Sequence, residues 1–198
     1  QGQDASSNAN FAWARNNGSG SFTILTNIAP GDGDFLQGVE VGRFQGGALG
    51  VALSWHAANK GIQTLTVPTN PSSGTWSWKR ISTTSQDEQL SQGDIDRDGD
   101  LDLMLGTKWL RNDGSTWTTF TLSNDPGAPD RNRLADMNGD GRLDVVVGYE
   151  AISIIGKLAW YEQPPTATNL WTEHIIANPV GPMSLDVADL DGDGDLDV

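Results

Sequence analysis

Short apolar runs, set off by stretches rich in glycine and aspartate, recur along the chain. Leu101-Asp102-Leu103-Met104-Leu105 and Leu143-Asp144-Val145-Val146-Val147 are the clearest. Short and partly β-branched, they read as buried strands. A second pattern lies between them. A tryptophan ends a short strand (Trp13, Trp55, Trp109, Trp160), a polar turn follows, and an aromatic residue opens the next strand. Trp76, Trp117 and Trp171 each stand five residues before an aliphatic residue, Ile81, Leu122 and Ile176, and Phe22 fills the corresponding place in the first unit. The segments Asn16-Asn17-Gly18-Ser19-Gly20, Asn112-Asp113-Gly114-Ser115 and Gln163-Pro164-Pro165 predict hairpins or short loops between antiparallel strands. Nothing has the period of a long amphipathic helix, and 24 glycines with 9 prolines weigh further against one.

Three of the polar stretches follow one pattern, D-x-[DN]-x-D-G-x-x-D, at residues 94–102, 136–144 and 189–197. Aspartate or asparagine oxygens stand at loop positions 1, 3, 5 and 9: Asp94, Asp96, Asp98 and Asp102; Asp136, Asn138, Asp140 and Asp144; Asp189, Asp191, Asp193 and Asp197. Glycine stands at position 6, where the backbone must turn sharply. So many carboxylates in nine residues repel one another unless a divalent ion neutralises them. An all-oxygen, flexible shell suits Ca²⁺ better than Mg²⁺ or Zn²⁺. Three calcium sites are therefore expected, with the backbone carbonyl of position 7 (Asp100, Arg142, Asp195) as an extra ligand. An isolated Asp-Gly pair is usually a solvated turn, but three in-register copies point to metal. An EF-hand does not fit, because it needs a bidentate glutamate at position 12 and flanking helices. Position 12 is Leu105 in the first loop and Val147 in the second.

The loops mark a repeat. Their starts are 42 and 53 residues apart, and residues 41–53 are a degenerate copy that keeps the glycines and the apolar strand without any ligand carboxylate. No metal is expected there. Units of this length with four short strands each are the signature of β-propeller blades. The expected fold is all-β, a propeller with about four blades' worth of chain, three central units flanked by two halves.

The acidic loops, the strand Leu143-Asp144-Val145-Val146-Val147-Gly148, and the pairing of Leu158-Ala159-Trp160-Tyr161-Glu162 with Trp171-Thr172-Glu173-His174-Ile175-Ile176 resemble FG-GAP or VCBS-type repeats. Such repeats form the calcium-binding blades of integrin alpha-chain propellers and of many secreted microbial and fungal proteins. The resemblance is strong from Gln92 onward and weak before Ala52. It implies a propeller, commonly seven-bladed, with calcium in loops between neighbouring strands of a blade. A ring of seven such units needs roughly 350 residues. Residues 1–198 are thus expected to be one propeller region within a longer chain, in preference to a half-ring completed by a second copy.

Composition narrows the function classes. A formal net charge of −14, from 26 Asp and Glu against 12 Lys and Arg, disfavours nucleic acid as a partner. Without cysteine there is neither a disulfide framework nor a thiolate metal site. No apolar run approaches the roughly 18 to 20 residues of a membrane helix, so membrane insertion is not expected.

Signatures of catalysis are sparse. No G-x-S-x-G or P-loop pattern is present, and Gly31-Asp32-Gly33-Asp34 is acidic where a phosphate would need positive charge. His56 and His174 occupy different repeat positions and read as surface or packing residues. Most of the 8 tryptophans recur at fixed positions and read as blade packing with a satisfied indole N–H. Trp78 departs from the repeat. Strand alternation puts Trp76 and Trp78 on one face, where an exposed pair would form a stacking platform for sugar rings or a partner chain, with residues 68–74 as a rim loop.

The leading expectation is a non-catalytic, calcium-stabilised adhesion or binding module for carbohydrate or an extracellular protein, secreted or at the cell surface. The glycosylation sequon Asn17-Gly18-Ser19 supports secretion. Two alternatives are the propeller part of a secreted polysaccharide lyase or hydrolase, with His174 and Tyr161 the first residues to test, and a structural repeat of a surface layer or filament.

Overall fold

A computed structural model of the chain describes residues 8–9, 11–57, 59–86, 89–151 and 156–198. No helix occurs among them. The chain opens with β1 (Asn8–Ala9) and a hairpin of β2 (Trp13–Asn16) and β3 (Phe22–Leu25), and β4 (Gly31–Asp32) returns to pair with β1. Three four-stranded antiparallel meanders follow. The first comprises β5 (Leu36–Gln45), β6 (Ala48–Trp55), β7 (Ile62–Thr66) and β8 (Trp78–Ser82); the second β9 (Ser91–Gly93), β10 (Asp102–Met104), β11 (Lys108–Asn112) and β12 (Trp117–Thr121). The third comprises β13 (Pro129–Ala135), β14 (Asp144–Tyr149), β15 (Leu158–Glu162) and β16 (Thr172–Ala177). Spatial order equals chain order in each sheet. First strands of successive sheets touch, β5 to β9 and β9 to β13, as do the fourth strands β8 and β12. The sheets therefore stack face to face as blades of a β-propeller-like fold, as the repeat pattern predicts.

The core lies between blades. One cluster joins Ile95, Met104, Trp109 and Leu122 of the second blade to Val145, Val147, Tyr149 and Trp171 of the third. The other joins Phe44, Ala52 and Ile62 of the first blade to Leu90, Leu103, Leu105 and Leu110 of the second. Leu103 and Leu105 face one neighbour while Met104 faces the other, as strand alternation requires. A strand buried on both faces must be apolar at consecutive positions, which accounts for the runs at 103–105 and 145–147.

The tryptophans divide into groups that the sequence does not separate. Trp13, Trp109 and Trp160 lie on β2, β11 and β15 rather than ending a strand; only Trp55 ends one. Trp109 stacks on its cross-strand neighbour Phe120 at 5.0 Å, and Trp160 on His174 at 4.2 Å. Trp76 and Trp171 precede their fourth strands and clamp the previous unit. Their backbone N–H groups donate to the carbonyls of Asn27 (2.9 Å) and Leu122 (2.8 Å). Their indoles donate to the carbonyls of Pro71 and Ala167, both at 2.9 Å. The expectation of satisfied indoles fails at Trp55 and Trp109, whose buried Nε1 atoms find no partner among the described residues. Trp55 occupies a tight place, since a Cβ on Gly31 or Gly33 would collide with its ring. That packing explains the two glycines of the Gly31-Asp32-Gly33-Asp34 segment.

The degenerate copy is a hairpin. β5 and β6 pair through Arg43↔Leu49 and Gln45↔Ala48, closed by Gly46 and Gly47 at φ 53° and 75°. Two consecutive positive φ values mark a tight turn that favours glycine at both places. Arg43, where the acidic loops begin with aspartate, donates to the Gly47 carbonyl at 2.8 Å.

A buried amide ties each blade to the one before it. Asn112 Nδ2 donates to the carbonyl of Phe44 in the first blade at 2.6 Å and to Leu101 in its own at 3.2 Å. Gln163 Nε2 likewise donates to Ile95 of the second blade at 2.9 Å and to Leu143 at 3.1 Å. We expect Asn112→Leu to cost roughly 2–4 kcal/mol, because it leaves buried carbonyls without donors. Urea denaturation measures this; a midpoint unchanged within error would show that the amide does not join the blades.

Candidate metal centres

The acidic loops at 94–102 and 136–144 connect the first strand of a blade to its second, the loop at 189–197 is closed by the single bridge Ala188↔Asp197, and the three share one hydrogen-bond scheme. The N–H of position 6 donates to the position 1 carboxylate: Gly99 to Asp94 (3.0 Å), Gly141 to Asp136 (2.7 Å), Gly194 to Asp189 (3.1 Å). The N–H of position 7 donates to the position 5 carboxylate: Asp100 to Asp98 (2.9 Å), Arg142 to Asp140 (2.8 Å), Asp195 to Asp193 (2.9 Å). The N–H of position 2 donates to the position 9 carboxylate: Ile95 to Asp102 (2.9 Å), Met137 to Asp144 (3.0 Å), Leu190 to Asp197 (2.9 Å). Left-handed backbone makes these contacts possible. Position 6 is always glycine, at φ 95°, 82° and 99°. Position 4 is left-handed as well: Gly139 at 71°, Gly192 at 80°, and in the first loop Arg97 at 66°.

Asp102 and Asp144 are enclosed on two sides. The second oxygen of each accepts from the backbone at the end of the third strand, Asn112 N–H at 2.8 Å and Gln163 N–H at 2.8 Å. Neither carboxyl is exposed to solvent. Burial, opposed by those hydrogen bonds and reinforced by neighbouring carboxylates, pushes Asp102 up to about 7 and Asp144 up to about 6. Asp96 is also raised, by burial first and by Asp98 next.

In the first loop, carboxylate oxygens of Asp94, Asp96 and Asp102 lie within 4.8 Å of one another, and the same holds for Asp189, Asp191 and Asp197 in the third. Asp136 and Asp144 of the second loop are joined by Asn138 at position 3, and Arg142 pairs with Asp140. Repulsion between two carboxylates at that separation is about 3 kcal/mol at an effective dielectric constant of about 20. With all three carboxylates of the half-buried first loop ionised, three such pairs would approach the whole stability of a typical domain, a cost that the proton kept on Asp102 lowers in the metal-free protein. The exposed third loop is better screened. Two further atoms bear on fit: Asp94 Oδ1 and Asp96 Oδ1 are shielded from water and have no hydrogen-bond partner among the described residues. Shielded, unpartnered anionic oxygens beside a third carboxylate are what a hard cation requires. Positions 1, 3, 5 and 9 and the carbonyl of position 7 could hold it.

Residues 136–198 match the family model of the FG-GAP-like repeat. This chain carries an FG-GAP-like repeat. The matched segment holds two acidic loops with strands β14 to β16 of the third blade between them, and the loop at 94–102 repeats the same scheme outside it. A search of curated proteins finds no match.

The remaining sequence candidates disperse. Trp76 is only 7% exposed and packs at 5.4 Å from Trp13, while Trp78 is half-buried, donates to the Pro30 carbonyl at 2.8 Å and lies under Arg80. The exposed pair expected from alternation does not form, because Trp76 precedes β8 and belongs to the clamp on the previous unit. Tyr161 is fully buried. Its hydroxyl donates to Glu173 at 2.7 Å and contacts the Tyr149 hydroxyl, and burial pushes it up to about 12. His174 bonds Glu162 at 2.9 Å, and His56 lies 3.3 Å from Asp34. Sequence reasoning missed Asn112, Gln163 and Arg97. A signal for the first two exists: Trp13, Trp109 and Trp160 are each followed three residues later by an amide, Asn16, Asn112 and Gln163.

The raised carboxyls give the metal-free protein a defined pH response. Where the unfolded chain has released its proton, above about 3.8, the folded state retains protons on Asp144 to about 6 and on Asp102 to about 7. Stability in chelator should therefore fall as pH rises from about 4 to about 7. Urea midpoints across that range test this; stability that rises throughout would show these carboxyls are not held in the protonated form.

Proposed function

We propose that the chain is a calcium-stabilised binding module of extracellular type, whose partner is a carbohydrate or an extracellular protein. The observation that carries the metal reading is the pair of shielded, unpartnered oxygens on Asp94 and Asp96 beside Asp102. The donor set is all oxygen, which favours calcium over softer or smaller ions. Bound calcium would join the first and second strands of a blade at one end, where Asn112 and Gln163 already bind the preceding blade. An extracellular setting supplies millimolar calcium, enough for weak modular sites, and FG-GAP repeats are typically extracellular. No helix among the described residues is long and apolar enough to cross a membrane. The exposed turn holding Asn17-Gly18-Ser19 is open to glycosylation.

The binding reading rests on what the side chains are already committed to. Carboxylates of the loops are engaged in the cages, and Tyr161 is enclosed away from any polymer. A rigid stack of blades instead offers loops and strand ends for recognition.

Each site filled at 100 times its dissociation constant stabilises the fold by about 2.7 kcal/mol. Chelation should therefore lower the melting temperature by several degrees or more, roughly 2–4 °C per kcal/mol at this size, with at least two ions per chain found by metal analysis. An unchanged melting curve, or fewer than two ions, would remove the calcium reading. Glycan-array binding without product release is the expected outcome for the ligand; release of shortened or unsaturated sugars would replace binding with catalysis.

A further inference from the structure

An open pocket of about 370 Å³ lies between the first acidic loop and the segment that follows β15. Its lining includes three arginines, Arg97, Arg111 and Arg142, against one acidic residue, Asp96. This concentration runs against a composition of 12 Lys and Arg to 26 Asp and Glu. Each arginine is held by contacts that occupy only part of its fork. Arg97 Nη2 donates to the Gly141 carbonyl of the neighbouring loop. Arg142 Nε donates to the Gln163 carbonyl at 2.9 Å and its Nη2 bonds Asp140. Arg111 Nε pairs with Asp113 at 2.7 Å and lies 3.9 Å from Asp96, with the guanidinium 5.1 Å over the Phe120 ring. None of these contacts uses Nη1 of Arg97, Nη1 of Arg142, or either terminal nitrogen of Arg111. Positioned cations with spare donors, in a pocket on the scale of small-molecule sites, are suited to a planar oxyanion. Thr166 and Thr168 add hydroxyls to the same wall.

We propose that this pocket binds the carboxylate of an acidic saccharide, with the arginines on the charged group and the threonines beside the ring hydroxyls. The proposal rests on the carbohydrate-binding reading above and gives it a site and a charge preference. Both neighbouring loops shape the pocket, Arg97 from one and Arg142 from the other, so it forms only where two loops follow in succession.

Titration calorimetry at fixed calcium tests it with three probes: a glucuronate-containing disaccharide, a neutral glucose disaccharide and a triglutamate peptide. The acidic sugar should bind at least about tenfold more tightly than the other two, the difference expected when a charged hydrogen bond is lost. Arg97→Gly places at position 4 the residue found in the other two loops, and so should fold; it and Arg111→Gln should each weaken the acidic sugar at least about fivefold. Trp78→Ala should leave that affinity unchanged. Equal binding of both sugars, or acidic-sugar binding that survives both arginine changes, would overturn the site while leaving carbohydrate binding intact. Peptide binding as tight as the acidic sugar's would overturn the saccharide assignment. Failure of the acidic sugar to bind would remove this proposal, and glycan-array binding would then show whether the broader reading stands.

Discussion

A buried aspartate at the last position of the acidic loop in the second and third blades, Asp102 and Asp144, is the constraint on which the blade geometry depends. Asp102 and Asp144 accept one N–H from their own loop and one from the end of the third strand, so a single side chain fixes where the loop closes and where the third strand stops. The residue that supplies the second N–H, Asn112 or Gln163, then reaches into the preceding blade with its amide. Loop closure and blade stacking are thus one hydrogen-bonded network, lying at the loop end of the apolar cores that join the sheets. A network of this kind is costly if half made and specifying when complete.

The first blade shows what replaces it. Gly50 pairs with Gly42 where Asp102 pairs with Gly93, and Val67 N–H donates to the Leu49 carbonyl at 3.0 Å instead of to a carboxylate. With no buried anion to satisfy, the loop contracts to a two-glycine turn bonded by Arg43. Blade architecture therefore survives the loss of an acidic loop, whereas an acidic loop carries a charge problem that its own backbone donors solve only in part. Asp94 and Asp96 hold the unsolved part.

Much of this was legible in the sequence because it rests on local periodicity. Consecutive apolar residues at 103–105 and 145–147 signalled strands buried on both faces, and glycines at 99, 141 and 194 marked the left-handed turns. Roles set by neighbouring blades were not legible. Trp76 and Trp78 alternate as a strand pair would, yet Trp76 lies before the strand and is covered by Trp13 from the previous hairpin. Asn112 reads as a turn residue, and it is one, accepting from Gly114 N–H at 3.1 Å; its partnership with Phe44 across the blade interface requires the fold. The arginine pocket is likewise a product of two loops brought side by side, with nothing in either loop alone to announce it.

Long-wavelength diffraction from crystals grown in calcium tests the central claim most directly, because anomalous scattering identifies the ion where it sits. Peaks should appear beside Asp94, Asp96 and Asp102 and in the two corresponding loops, with the Oδ1 atoms of Asp94 and Asp96 among the ligands of the first ion. No peak in the first loop, with ordered water on those two oxygens instead, would contradict a calcium-held blade.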